Sequence, residues 1–199
     1  MRLESRTTES LSAAEDVSET SSGAKLAVIR VEEGQSSLAA LAGVVEILRS
    51  GGVLVAGYLQ LELSDGAEVV LEDIETTERF GIMQALGTSA GSCRLDTQAL
   101  AAIAGRGLSR LEQPADLLVL TRFGKAEAEG HGLRAVLEKA LDLDIPILTS
   151  VASTYFDEWN AYVGQLSVNL SPNVQEVLTW FRSIAPADLR DRHSSAQGA

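Results

Sequence analysis

Asp116-Leu-Leu-Val-Leu-Thr-Arg-Phe-Gly-Lys-Ala-Glu-Ala-Glu-Gly-His-Gly132 is the run whose reading decides the fold. Leu117 to Leu120 is unbroken and apolar, as a strand buried on both faces requires. The chain then turns polar. Thr121, Arg122, Lys125, Glu127, Glu129 and His131 fall within eleven residues, punctuated by Gly124, Gly130 and Gly132. A helix is predicted to follow, from about Gly130 to Leu143, with Leu133, Val136, Leu137, Ala140 and Leu141 on one face. A buried strand that ends in a charged, glycine-rich loop and feeds a helix is how open α/β sheets build ligand sites.

Outward from that run the same unit recurs. Leu26 to Val31 predicts a strand, Glu32-Glu-Gly-Gln-Ser-Ser37 a loop, and Leu38, Leu41, Val44, Val45 and Leu48 a helix ended by Gly51-Gly52. This is the layout of a phosphate-binding P-loop, whose pattern is G-x-x-x-x-G-K-[ST]. The loop here has one glycine, no lysine, and two glutamates where phosphate would sit. A working Walker motif is absent, and Ser36 and Ser37 are expected to cap the helix.

Val53 to Leu59 predicts a buried strand with Gln60 at its polar end, and Ser64-Asp-Gly66 a turn. Glu68 to Ile74 predicts a strand paired with it as a hairpin. Phe80 to Leu86 reads as a short strand or a helical turn, and Gly87 to Cys93 as a small-residue loop. A helix capped by Asp96 is predicted over Thr97 to Leu111, and a strand over Ile145 to Val151. Tyr155 to Tyr162 is expected to be helical. Ser171-Pro172 is expected to start a last helix bearing Val174, Val177, Leu178 and Phe181. Alternating strands and helices imply an α/β fold: an open, mostly parallel sheet with helices on both faces and an added antiparallel hairpin.

Residues 1–24 hold nine Ser or Thr, five acidic residues and two Arg, too little apolar surface to offset the entropy of ordering. They are predicted to be a disordered acidic tail, residues 25–185 a single α/β domain, and residues 186–199 a frayed end. The formal charge of −12 argues against nucleic-acid and anionic-membrane surfaces, which need a basic footprint. One cysteine, Cys93, allows no intramolecular disulfide. With no signal-peptide core and no membrane-length apolar run, the expected location is the cytoplasm.

Against that acidic background the central run gathers cations. Arg122 and Lys125, with Arg94 and His131, are candidate anion contacts, and the backbone of Gly130, His131 and Gly132 offers donors at a helix start. The alternative is a solvated loop in which Arg122 and Lys125 pair with Glu127, Glu129 or Asp116. Gln60, Thr121 and Thr149, at predicted strand ends, are placed on the same rim. Candidates for chemistry are Glu127 as a base, His131, and Cys93, a thiol beside Arg94 and a helix start. Cys93, Asp96 and His131 have no recognised metal-ligand spacing, so no metal is expected.

The run from Asp116 to Arg134 resembles the signature of an uncharacterised bacterial family, classified as a domain of unknown function and often encoded near molybdate-transport genes. Gly57-Tyr-Leu-Gln60, Gly91-Ser-Cys-Arg-Leu-Asp96 and Ile145-Pro-Ile-Leu-Thr-Ser-Val151 extend the resemblance through most of residues 26–165. The family usually has Asn where this chain has Thr121. It is in turn similar to small P-loop nucleoside-triphosphatases, in which the equivalent strand ends in acidic residues followed by Ile-Gly and a Met-Glu pair. Here Thr121-Arg122 take the acidic places, while Gly124 and Glu127 match the later ones.

The resemblance implies a degenerate P-loop-like frame. The leading expectation is binding of an anionic small molecule, a nucleotide or an oxyanion such as molybdate, in an accessory or regulatory role. The site would lie among loops 32–37, 91–96 and 121–132. One alternative is a nucleoside-phosphate hydrolase with a rebuilt site. The other is a protein-interaction module of molybdate-transport or nitrogen-metabolism machinery.

Overall fold

A computed structural model describes residues 23–63, 68–84, 94–186 and 189. The predicted tails fall almost wholly outside these residues, as do the Ser64-Asp-Gly66 turn and the Gly87 to Cys93 loop. The centre of the molecule is a sheet of five parallel strands: β1 (Leu26–Val31), β2 (Val55–Leu63), β7 (Leu117–Phe123), β8 (Ile147–Ala152) and β9 (Ser167–Leu170). Two antiparallel strands, β3 (Glu68–Asp73) and β4 (Arg79–Gly81), extend one edge, giving the order β4-β3-β2-β7-β8-β1-β9. A separate pair is formed by β5 (Met83–Gln84) and β6 (Arg94–Leu95).

Alternation along the strands makes two cores. On one face, Ala27, Ile29, Val119 and Leu148 pack with the buried stripes of α1 (Leu38–Ser50) and α6 (Val174–Ile184). On the other, Val28, Leu118, Leu120 and Ile147 pack with α2 (Thr97–Arg110), α4 (Arg134–Asp142) and α5 (Phe156–Val163). The parallel sheet, the helices on both faces and the added hairpin match the sequence expectation. Gly57 shows how closely β2 and β7 approach: at φ +120° a Cβ there would lie 1.9 Å from the Val119 carbonyl oxygen.

Several boundaries differ, each for a local reason. The central strand runs three residues further than its apolar core, to Phe123. Thr121 is buried and donates its hydroxyl to the Tyr58 carbonyl at 3.3 Å, so the sheet absorbs it. The pairing of β7 with β8 is irregular between Leu120 and Phe123, and Arg122 emerges exposed within that irregularity. Lys125–Ala128 forms a short helix, α3, and α4 proper begins only at Arg134. The last helix is capped by Asn173 rather than by Ser171. The Asn173 side chain accepts from the Gln175 and Glu176 amides at 2.9 and 3.2 Å. Phe80 to Gln84 falls in two short strands of different sheets, β4 and β5, with Ile82 between them, and β9 is four residues long with Ser167 and Asn169 breaking any apolar run.

Candidate functional site

Open parallel sheets offer a crevice where adjacent strands send their connections in opposite directions. Here those strands are β1, whose chain leaves toward β2, and β8, whose chain crosses to β9 on the far side. The crevice is therefore at the loop that joins β1 to α1. It carries Glu32 and Glu33, both exposed. Arg30 is already engaged, its guanidinium 2.9 Å from Glu32 and 4.8 Å from the Phe156 ring centroid. Ser37 sits at the helix N-cap position without a side-chain cap bond, while Ser36 Oγ accepts from the Leu38 amide at 3.2 Å. Two carboxylates and a committed arginine make this a poor cradle for phosphate.

Concavity lies two strands away. At the carboxyl end of β7, a pocket of about 210 Å³ is bounded by Gln60, Thr121, Arg122, Lys125, Glu127 and Tyr155, among others. Beside it, α2 and the segment from α3 to α4 enclose a cleft of about 770 Å³. Leu95, Leu100, Lys125 and Ala126 line both. Gly107 of α2 faces Val136 of α4 so closely that a Cβ there would meet Val136 Cγ2 at 2.9 Å, while their neighbours Leu108 and Ala135 line the cleft.

Glu127 shapes the wall. Its Oε2 accepts from the Gly124 amide at 3.0 Å and its Oε1 from the Leu133 amide at 3.0 Å, so one carboxylate ties both ends of a ten-residue loop. Gly132, at φ +61°, backs directly onto it; a Cβ there would lie 2.2 Å from Glu127 Oε1. Glu127 is thus a clamp, each of its oxygens holding one backbone amide.

The expected anion contacts separate into two groups. Arg122 is exposed, lines the pocket, and among the described residues enters no salt bridge. Lys125 lines both spaces and has a loose i,i+4 partner, Glu129, at 3.8 Å. His131 is exposed on the cleft wall. Two of the three expected backbone donors, those of Gly130 and His131, are used in folding. The Gly130 amide donates to Glu127 O at 3.1 Å and the His131 amide to Ala126 O at 2.7 Å. Cys93 lies outside the described residues, and Arg94 is described by its backbone alone, in β6.

Thr149 is buried and donates to the Leu120 carbonyl at 2.8 Å, a contact inside the sheet rather than at the rim. Arg134, next to the loop, is committed to Glu138 at 2.9 Å and lies 4.1 Å from the Tyr162 ring centroid. Its bond to Glu138 pushes its pKa further up. The cleft wall from α2, with Thr97, Ala101, Ala104 and Gly105, had no counterpart in the sequence expectation. Ala101, Ala104 and Gly105, small residues spaced along one stretch of α2, are the signal for such a wall.

Among the described residues no group of three or more His, Cys, Asp or Glu gathers to hold a metal, and no helix is long and apolar enough to cross a membrane.

Comparison with known proteins agrees with this frame. A family model described as "Protein of unknown function (DUF2478)" matches residues 26–180. The molybdenum import ATP-binding protein ModC 2 of Bradyrhizobium diazoefficiens is 33% identical over 146 residues, which cover 71% of this chain and 16% of that relative. The chain therefore spans about a sixth of the relative's length. Among solved structures, a human cancer-related nucleoside triphosphatase superimposes with TM-score 0.54 at 16% identity, covering 87% of this chain and 97% of the other. THEP1 from Aquifex aeolicus gives TM-score 0.53 at 12% identity, covering 78% and 94%. At those identities the likeness is one of fold: a small P-loop-NTPase-like α/β domain.

Proposed function

The chain belongs to that family of unknown function, DUF2478, and on this premise we propose that it is a binding protein built on a nucleotidase-like frame. Its ligand is an anionic small molecule, a nucleotide or an oxyanion such as molybdate, held at the rim of β7, and its role is accessory or regulatory. The observation that carries this reading is the placement of two cations, Arg122 and Lys125, on a concave rim of an otherwise strongly acidic protein. The similarity to part of a molybdenum import ATP-binding protein supports a role beside oxyanion uptake. The loop at residues 32–37, read as a degenerate Walker loop, supports binding over hydrolysis, as does the engaged carboxylate of Glu127.

A thermal-shift screen across ATP, ADP, AMP, GTP, GMP, phosphate and molybdate tests the proposal. A ligand at about a hundred times its dissociation constant adds roughly 2.7 kcal/mol of stability. The expected result is a shift with at least one anion that disappears in the Arg122→Ala, Lys125→Ala double variant. No shift with any of them, or a shift that the double variant retains, contradicts it.

A further inference from the structure

We propose that the rim pocket and the cleft are two halves of one site, and that the site takes a nucleoside monophosphate. The inference rests on the anion reading above and narrows it. The two spaces share Leu95, Leu100, Lys125 and Ala126 in their linings, so they are neighbours close enough for one two-part ligand to reach both. Their chemistry differs. The pocket carries Arg122, while the cleft presents Ala101, Ala104 and Gly105 of α2 opposite Gly130 and Gly132.

Alanine and glycine leave little side-chain bulk between Leu95, Leu100 and Leu108, an apolar slot that a planar ring system can fill. The cleft's 770 Å³ falls within the range of roughly 300 to 1,000 Å³ typical of sites for organic ligands. A bare tetrahedral oxyanion contacts the rim cations and leaves that apolar surface in water, whereas a nucleoside covers it. At the cleft's polar margin stand Thr97, Glu129 and His131, which supply donors and acceptors for a ring edge.

Lys125 is the joint, since it borders both spaces. Arg122 and Lys125 together balance one dianionic phosphate. A triphosphate brings charge that nucleotidases meet with a carboxylate-held Mg²⁺. The net charge of −12 opposes that further negative charge.

Calorimetry on the full chain decides the matter, with AMP, GMP, ATP, adenosine, inorganic phosphate and molybdate as probes. The variants are Arg122→Ala at the rim, and Ala101→Phe and Ala135→Phe, which fill the cleft from opposite walls at exposed positions. The expected result is AMP or GMP binding at least tenfold tighter than phosphate, molybdate, adenosine or ATP. Either cleft-filling variant weakens the monophosphate tenfold or more and leaves phosphate unchanged, while Arg122→Ala weakens both. Phosphate or molybdate binding as tightly as the monophosphate, indifferent to both Phe variants, overturns this inference and leaves the anion reading standing. So does ATP binding more tightly than AMP and GMP. No binding of any anion, or binding indifferent to Arg122→Ala, removes the anion reading itself.

Discussion

Gly107 and Val136 set the distance between α2 and α4: a Cβ on Gly107 would lie 2.9 Å from Val136 Cγ2 and 3.3 Å from Tyr58 Cε2. Both neighbours are buried, so neither has room to withdraw. Gly107→Val therefore forces the helices apart, at the cost of about 1–3 kcal/mol typical of overpacking. At about 2–4 °C per kcal/mol for a chain of this size, the melting temperature falls by several degrees. Thermal unfolding followed by circular dichroism measures it, and an unchanged midpoint contradicts the close approach.

The carboxylate of Glu127 and the missing side chain of Gly132 form one device. Glu127→Ala leaves the Gly124 and Leu133 amides without their acceptor, a loss of about 1–3 kcal/mol if they stay buried. Glu127→Gln keeps one acceptor oxygen and sets its NH₂ against the other amide, so its effect is intermediate. Gly132→Ala drives a Cβ into Glu127 Oε1 at a backbone conformation costly for alanine. Since both substitutions break the same contact, the Glu127→Ala, Gly132→Ala double variant loses less than the sum of the singles. Hydrogen exchange at the Gly124 and Leu133 amides reports the clamp directly. Unchanged protection in Glu127→Ala counts against it.

Alkaline pH removes stability through two tyrosines. Burial, then the Asp73 charge, pushes Tyr58 up to about 12, and burial, then Glu138, does the same for Tyr162. Both are favoured in the neutral form when folded, so their contribution is intact below the unfolded value of 10 and is lost as pH rises from there toward 12. Melting temperatures should hold steady to about pH 9 on this account and decline above pH 10. In Tyr58→Phe, which lacks the ionisable group, the decline is shallower even though the bond from Tyr58 Oη to the Ile103 carbonyl is gone. An equally steep decline in that variant contradicts the assignment.

Much of the fold was legible because the strands are long apolar runs. Leu26 to Val31, Val53 to Leu59 and Ile145 to Val151 sit in the sheet within a few residues of their predicted bounds. Asp96 caps α2 as its type and position imply, accepting from the Gln98 and Ala99 amides at 3.0 Å. What was hidden depended on tertiary partners. Thr121 and Arg122 look like loop residues, yet the ladder to β8 resumes beyond them at Phe123 and the Thr121 hydroxyl bonds the Tyr58 carbonyl, which keeps them in the strand. The glycines at 130 and 132 suggested free backbone donors. No local pattern discloses that the Gly130 and His131 amides turn inward to Glu127 O and Ala126 O. Arg122 and Lys125 were identifiable by charge alone, whereas α2 beside them is predicted only as a helix capped by Asp96 and not as the wall of a cleft.

The central claim is one of place: the ligand sits at the rim of β7 and in the α2 cleft, not at the loop after β1. Amide chemical-shift mapping with AMP and GMP, the proposed ligand class, tests it most directly. The account predicts perturbations clustered over residues 121–132 and along α2 from Thr97 to Leu108, with Glu32 to Ser37 silent. Perturbations centred on Glu32 to Ser37, with the rim of β7 unmoved, would contradict it.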